Sequence, residues 1–386
     1  MNFFRLLFPF FDPDVKNWST DARLLRWLTL LWVLVGLVVL FSASYAAADS
    51  EQGDGLYYIK RQLIWTWAGL IGFNFVVRLS LDKMLKIASW MLVVTMGLLL
   101  LTLVGLGSTV NGATRWLSIG PILLQPSELM KPFLVLQGAR VFGNWHRLTI
   151  KVRSTWLAIF AIALAEILLQ PNLSTTALCG STLWLIATAA GIRWRHLLGV
   201  ATLGVMTAIL SISIKSYQRR RILSFMDPWQ SAKGDGYQLV QSLLAVGSGR
   251  LSGMGYGLSQ QKLFYLPIQY TDFIFSVFAE EFGFVGSVLL LIMILFYGTV
   301  SMVIAMNSTH RTYRLVAVGA MAILIGQALL NIGVATGVFP TTGLPLPFFS
   351  YGGSSSLADL FLAALIIRVA RENHEGSIVN LNPEPT

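Results

Sequence analysis

Residues 24–46 read LLRWLTLLWVLVGLVVLFSASYA. A helix needs about 20 mostly apolar residues to cross the hydrocarbon of a bilayer, and this stretch supplies them with Arg26 as its one charge. It runs into Ser42-Ala43-Ser44-Tyr45-Ala46-Ala47-Ala48, small residues of the kind a signal peptidase accepts. The apolar part is longer than the core of a cleaved signal, however, and more such runs follow, so the segment reads as a retained membrane span.

Working outward, similar runs lie near 63–79, 84–106, 122–142, 155–170, 174–191, 197–215, 279–305, 314–338 and 354–370. The run at 122–142 and the last one carry charged or polar residues. With no strand signal and no internal repeat, the expected fold is an all-α integral membrane protein, a ten-transmembrane-helix bundle. The composition of the 386 residues agrees: 55% are hydrophobic and 12% charged, with mean hydropathy +0.67. Ordinary soluble domains carry about 25% charged residues. A disordered chain and a soluble α/β enzyme are thereby excluded. The single cysteine, Cys179, excludes an internal disulfide and reads as a small buried residue.

The net charge of +10 fits cytoplasmic membrane flanks better than nucleic acid. With the N-terminus in the cytoplasm, Arg5, Lys16, Arg23, Arg26, Arg78, Lys83, Lys86, Arg140, Arg147, Lys151, Arg153, Arg193, Arg195, Arg311, Arg314, Arg368 and Arg371 all fall inside. The short outer loops are nearly free of positive charge. The expected organisation is a cytoplasmic segment 1–23, a membrane domain 24–371 and a cytoplasmic, mobile tail 372–386. One outer loop, about 216–271 between spans 7 and 8, breaks the pattern with Arg219, Arg220, Arg221 and Lys262 among its cations. Long loops translocate regardless of charge, so the topology stands. Two readings of the arginine run stay open: lipid headgroups, or an anionic substrate.

Ionisable groups within spans mark function by default. Glu128 and Lys131, three apart, share a helix face after Gln125-Pro126-Ser127, with Ser127 as a candidate N-cap. They read equally as a self-neutralising pair or as part of a pathway. Glu166 and Asp359 carry no decided role. Asp272 closes the basic loop and opens a long helix. It could cap that helix, or it could take a proton from a sugar hydroxyl among the surrounding aromatics and cations. Glu280 and Glu281 follow two turns on. The glycines of 246–257 could cradle a phosphate through backbone N–H groups, although no Walker spacing occurs. Segment 337–356, uncharged and rich in Pro and Gly, reads as a non-helical wall of a site. All four histidines, His146, His196, His310 and His374, fall on the cytoplasmic side, which disfavours a histidine catalyst outside.

Three motifs together carry a resemblance: Asn111-Gly112-Ala113-Thr114-Arg115-Trp116 with Gln125-Pro126-Ser127-Glu128-Leu129-Met130-Lys131; the stretch from Tyr265 to Gly286; and Leu344-Pro345-Leu346-Pro347-Phe348-Phe349-Ser350-Tyr351-Gly352-Gly353-Ser354-Ser355. The chain resembles the SEDS family (shape, elongation, division and sporulation) from the first span to the last. The resemblance implies a ten-span peptidoglycan glycosyltransferase of the bacterial inner membrane. It would polymerise lipid II outside the membrane, with a class B penicillin-binding protein and other divisome proteins as partners. It implies that Asp272 is the essential loop aspartate and that Glu128 and Lys131 are the intramembrane pair. The chain departs from many members at Asn172 and Ser174, where they have an acid and Gly, and at Ile268 and Tyr270, where they have Glu and His. The Phe41-Ser42-Ala43-Ser44 end of the first span looks more like the division-type member than the elongation type.

The chemistry then expected is an inverting transfer with Asp272 as general base and undecaprenyl pyrophosphate as leaving group. Arg115, Lys131, Arg219, Arg220, Arg221 and Lys262 are candidate clamps for that leaving group. Glu128, Ser350, Gly352, Gly353 and Ser354 are further expected substrate contacts. No protein metal site stands out; a Mg or Mn ion would come with the pyrophosphate. A lipid II flippase and a non-catalytic scaffold remain the rival readings.

Overall fold

The computed structural model describes residues 13–110, 113–120 and 122–381. Asn111 and Gly112 of the first motif, Arg5, and tail residues 382–386 lie outside them. Each expected apolar run falls on a helix: α1 (Thr20–Gln52), α2 (Tyr57–Arg78), α3 (Leu81–Leu101), α4 (Pro126–Gly143), α5 (Ile150–Leu169), α6 (Leu173–Ala189), α7 (Trp194–Ile214), α10 (Ile274–Met306), α11 (Arg311–Ala335) and α12 (Gly353–Leu381). Two shorter helices, α8 (Ser216–Met226) and α9 (Tyr237–Ser248), lie in the long loop. Among the described residues seven helices are long and apolar enough to cross a membrane: α1, α3 with its extension to Leu106, α5, α7, α10, α11 and α12. α6 is apolar but shorter. α12 continues into the tail as far as Leu381.

The expectation of no strands is corrected. β1 (Ser108–Val110), β2 (Ala113–Ile119) and β3 (Ile122–Leu124) form an antiparallel sheet in the order β1-β2-β3. Ile122–Leu124 had counted toward a span; Pro126, fixed at the first turn of α4, is where the helix starts. The same residue moves the N-cap from Ser127 to Gln125.

Each long helix reverses the one before it, which gathers the sheet, the long loop and segment 336–352 at one end. The turns after α2, α4, α6 and α10 and the described ends of the chain gather at the other, where Arg371 lies over the Trp18 ring and Leu81 N–H donates to Glu372. All four histidines belong to that terminal end. Among apolar lipids helices associate through close van der Waals packing and polar contacts rather than hydrophobic transfer. α12 is built for this, with Ser354, Ser355, Ser356, Ala358, Ala363 and Ala364 buried along it. Of its apolar window 83% is buried, against 11% for α7, so α12 is the hub and α7 the rim.

α10 is not continuous. At Gly283 the backbone takes φ +67°, ψ −166°, and the ladder opens. The freed groups bond to the glycine-rich loop: Met254 N–H donates to Glu280 O at 2.9 Å, Gly255 N–H to Glu281 O at 3.1 Å, and Phe284 N–H to Arg250 O at 2.8 Å. A Cβ at Gly253 would stand 2.1 Å from Glu281 O, so only glycine permits the approach. The phosphate-cradle reading of 246–257 is corrected accordingly, because these N–H groups mend a broken helix.

Candidate active site

Asp272 lies in the last turn of the long loop, before α10. Its reading as a cap is overturned: the N-cap is Phe273, with no side-chain bond. The Asp272 backbone is held tightly. Three successive carbonyls are engaged, Tyr270 O by Tyr351 N–H at 2.9 Å, Thr271 O by Ser350 Oγ at 2.6 Å, and Asp272 O by Asn331 Nδ2 at 2.7 Å. Gly343, at φ +79°, lies against the carboxylate; a Cβ there would come within 3.3 Å of Oδ2. The carboxylate itself, half-buried, takes no hydrogen bond from the described residues. Burial pushes it above the ordinary carboxylate range, while Arg221 and Arg115 pull it back down.

Those two arginines reach the site from different elements. Arg115, on β2, donates to Gln170 O at 3.0 Å and Pro171 O at 2.6 Å. Arg221, on α8, donates to Thr341 O at 3.1 Å and lies 4.5 Å over the Tyr217 ring. Burial and the neighbouring Arg221 press the Arg115 guanidinium down, while Tyr217 and Asp272 support it. Two guanidiniums thus face one carboxylate, leaving a surplus positive charge that an anion would relieve.

The surplus has a place to act. Arg115, Arg221, Tyr217, Asn172, Ser174 and Thr342 line a crevice of about 90 Å³ with Gln218. That is about three waters' worth of liquid volume, room for a phosphate group but not a disaccharide. The buried Gln218 amide accepts at Oε1 from Ser211 Oγ at 2.8 Å, and its Nε2 has no partner among the described residues.

Helical spacing divides the arginine run. Tyr217, Gln218 and Arg221 turn one face of α8 to the crevice, while Arg219 and Arg220 are exposed, Arg220 lying 3.5 Å from Asp235. The other expected contacts are engaged within the protein. Lys262 Nζ, buried, bonds Glu281 Oε1 and Ser42 Oγ, both at 2.8 Å, well occupied away from Asp272. Glu280 accepts from Ser259, Ser248 and the Gln260 and Gln261 N–H groups, which fastens the loop to α10. Gly352 N–H donates to Gln62, Ser354 Oγ accepts from Gln125 N–H, and Gly353 lies against the Trp65 ring. Lys131 Nζ, fully buried, bonds Glu128 Oε2 and Gln327 Oε1, both at 2.7 Å. Asp359 has these two charges as neighbours and leaves Oδ1 without a partner, as Glu166 leaves Oε2. No group of three His, Cys, Asp or Glu among the described residues is placed to hold a metal ion.

Comparison with known proteins follows the same outline. The Cell cycle protein family that carries the names FtsW, RodA and SpoVE matches residues 22–375. The chain belongs to that family. A Synechocystis protein named probable peptidoglycan glycosyltransferase FtsW is 57% identical over 380 residues, 98% of this chain and 97% of its own. Stage V sporulation protein E of Bacillus subtilis is 34% identical over 92% of this chain and 98% of its own. Among solved structures, a chain of a peptidoglycan synthase complex that coordinates polymerization and crosslinking superposes with TM-score 0.74 at 29% identity, covering 91% of this chain and 98% of that one. The Rod shape determining protein RodA of Thermus thermophilus gives 0.68 at 29%, covering 93% and 99%. Family membership therefore extends over the whole bundle, the Asp272 loop included. Sequence reading passed over Gln218, Asn331 and Gln327. The first was legible from its i, i+3 spacing to Arg221; the other two sit in an uninterrupted apolar helix and show only once segment 340–350 is seen to cover them.

Proposed function

We propose that this protein is a peptidoglycan glycosyltransferase that polymerises lipid II, with Asp272 as its general base. The observation that carries the reading is a carboxylate that takes no hydrogen bond from the described residues, held on a fastened peptide beside two arginines that line an anion-sized crevice. The acceptor's 4-hydroxyl attacks the anomeric carbon of the donor as Asp272 takes its proton, and the undecaprenyl pyrophosphate departs. One carboxylate suffices, because direct displacement inverts an α-linked donor to a β-1,4 bond without a covalent intermediate. Negative charge grows on the pyrophosphate, where Arg115, Arg221 and the unpaired Gln218 amide donor stabilise it. The sugars lie outside the crevice, over Asp272.

The finer assignments belong to the same proposal. The ten helices all cross the bacterial inner membrane, both termini are cytoplasmic, and the Asp272 end faces outward, as the distribution of Lys and Arg supports. Division-type activity at the septum is supported by the name of the 57% identical relative. A class B penicillin-binding protein as partner is supported by the synthase complex among the structural neighbours. The test is purified protein, with and without that partner, given labelled lipid II, with glycan length read on a gel. Polymer from wild type and none from Asp272→Asn is the expected result. Movement of lipid II across vesicles without polymer would favour a flippase, and neither activity would favour a scaffold.

A further inference from the structure

Lys131 lies inside the bundle and Asp272 at its end, yet a chain of hydrogen bonds joins them through α11. An ammonium only donates, so Lys131 Nζ, at 2.7 Å, requires the oxygen of the Gln327 amide to face it. That choice turns Nε2 the other way, where it donates to Pro345 O at 3.0 Å. One turn along, Asn331 repeats the motif. Its Nδ2 uses both hydrogens, on Leu344 O at 2.8 Å and on Asp272 O at 2.7 Å. Leu344 and Pro345 directly follow Gly343, the residue pressed against the Asp272 carboxylate. Both amides are buried, and Asn331 Oδ1 goes without a partner. A buried acceptor left unsatisfied has a cost in stability, and such groups in a native structure ask for a reason. Holding two carbonyls on either side of the reacting carboxylate is one.

We infer that Gln327 and Asn331 are positioning residues that couple the buried Glu128–Lys131 pair to the Asp272 peptide. The pair then serves catalysis without touching substrate: it sets the orientation of the Gln327 amide, and α11 carries that order one turn to Asn331. The inference rests on Asp272 being the base.

The test compares Gln327→Glu and Asn331→Asp with wild type in steady-state polymerisation of labelled lipid II, alongside thermal stability in detergent. Gln327→Glu keeps the acceptor for Lys131 and the bulk, replaces the donor to Pro345 O with a second oxygen, and adds a negative charge beside Lys131. Asn331→Asp keeps its shape and loses the amide donor to Leu344 and Asp272. Misplacing a reacting group by about 1 Å costs on the order of 10²-fold, so each variant is expected to lose roughly that much kcat while KM for lipid II stays within about twofold. An unchanged kcat, or a loss confined to KM, overturns the coupling, whatever the change in stability. Asp272→Asn runs as the control. If it polymerises like wild type, the assignment of the base fails. If it is inactive while both amide variants keep wild-type kcat, only the coupling fails.

Discussion

Two carboxylates in this molecule have opposite surroundings. Glu128 is buried against Lys131 at 2.7 Å, and the same ammonium is shared with Gln327. Asp272 has its own and the two preceding carbonyls fastened and, among the described residues, no hydrogen bond on its carboxylate oxygens. A satisfied acid holds structure; an acid that the fold orients but leaves unbonded is free to accept a proton. Glu280 falls on the satisfied side, ringed by loop donors, while Glu281 pairs with Lys262 through Oε1 and leaves Oε2 without a partner among the described residues. The sharpest way to break this comparison is Asp272→Asn. General-base assistance contributes about 10²–10⁴-fold, so lipid II polymerisation should fall by that factor with the protein still folded. Near-normal glycan on a gel would remove Asp272 from the role.

The satisfied side breaks differently. Lys131→Met leaves Glu128 buried without its cation, and removing one partner of a buried pair destabilises by about 3–5 kcal/mol. Denaturation of the purified protein in detergent should show that loss, and a shift under about 1 kcal/mol would place the pair among those that contribute little. Arg221→Ala comes next in size. Removing one preorganised donor from developing charge costs about 10²–10³-fold, measured in kcat/KM for lipid II. Because Arg221 lowers the Asp272 carboxyl, its removal should also move the acid limb of the rate profile to higher pH. A limb that stays in place or moves down would show that the guanidinium does not act on this carboxylate.

How much of this was legible depends on which physical signal each part leaves in the chain. Apolar runs mark helices because lipid demands them, and α1 through α7 with α10 to α12 follow the runs. Strands β1 to β3 were missed because Asn111-Gly112 between Thr109-Val110 and Ala113-Thr114 is a hairpin signal that an apolar-run search passes over. Asp272 was legible as a candidate but not as the unbonded one, since capping and catalysis put the same residue at the same place. The arginine run was legible only as a group; the face of α8 separates Arg221 from Arg219 and Arg220. The Lys262–Glu281 pairing was not legible because a cation in this loop reads the same whether it meets an anion from outside or an acid 19 positions along the chain.

The smallest effect is also the most diagnostic of the difference between the two acids. Burial raises the folded-state value of Asp272 above the ordinary value for an aspartate, so the folded protein binds its proton more tightly than the unfolded chain does. Ionising that group then opposes folding: the cost is absent below the ordinary carboxylate range, appears as pH rises through it, and is complete above the raised folded value. Asp272→Asn removes the cost and should raise the melting temperature at neutral pH, with the gain fading as pH falls below the ordinary range. Lys131→Met should lower it at the same pH. Opposite signs from two losses of charge would mark one acid as kept for chemistry at the expense of stability and the other as kept for the fold. A fall in melting temperature for Asp272→Asn at neutral pH would mean instead that the carboxylate's attraction to Arg115 and Arg221 outweighs its burial, and that it belongs with Glu128.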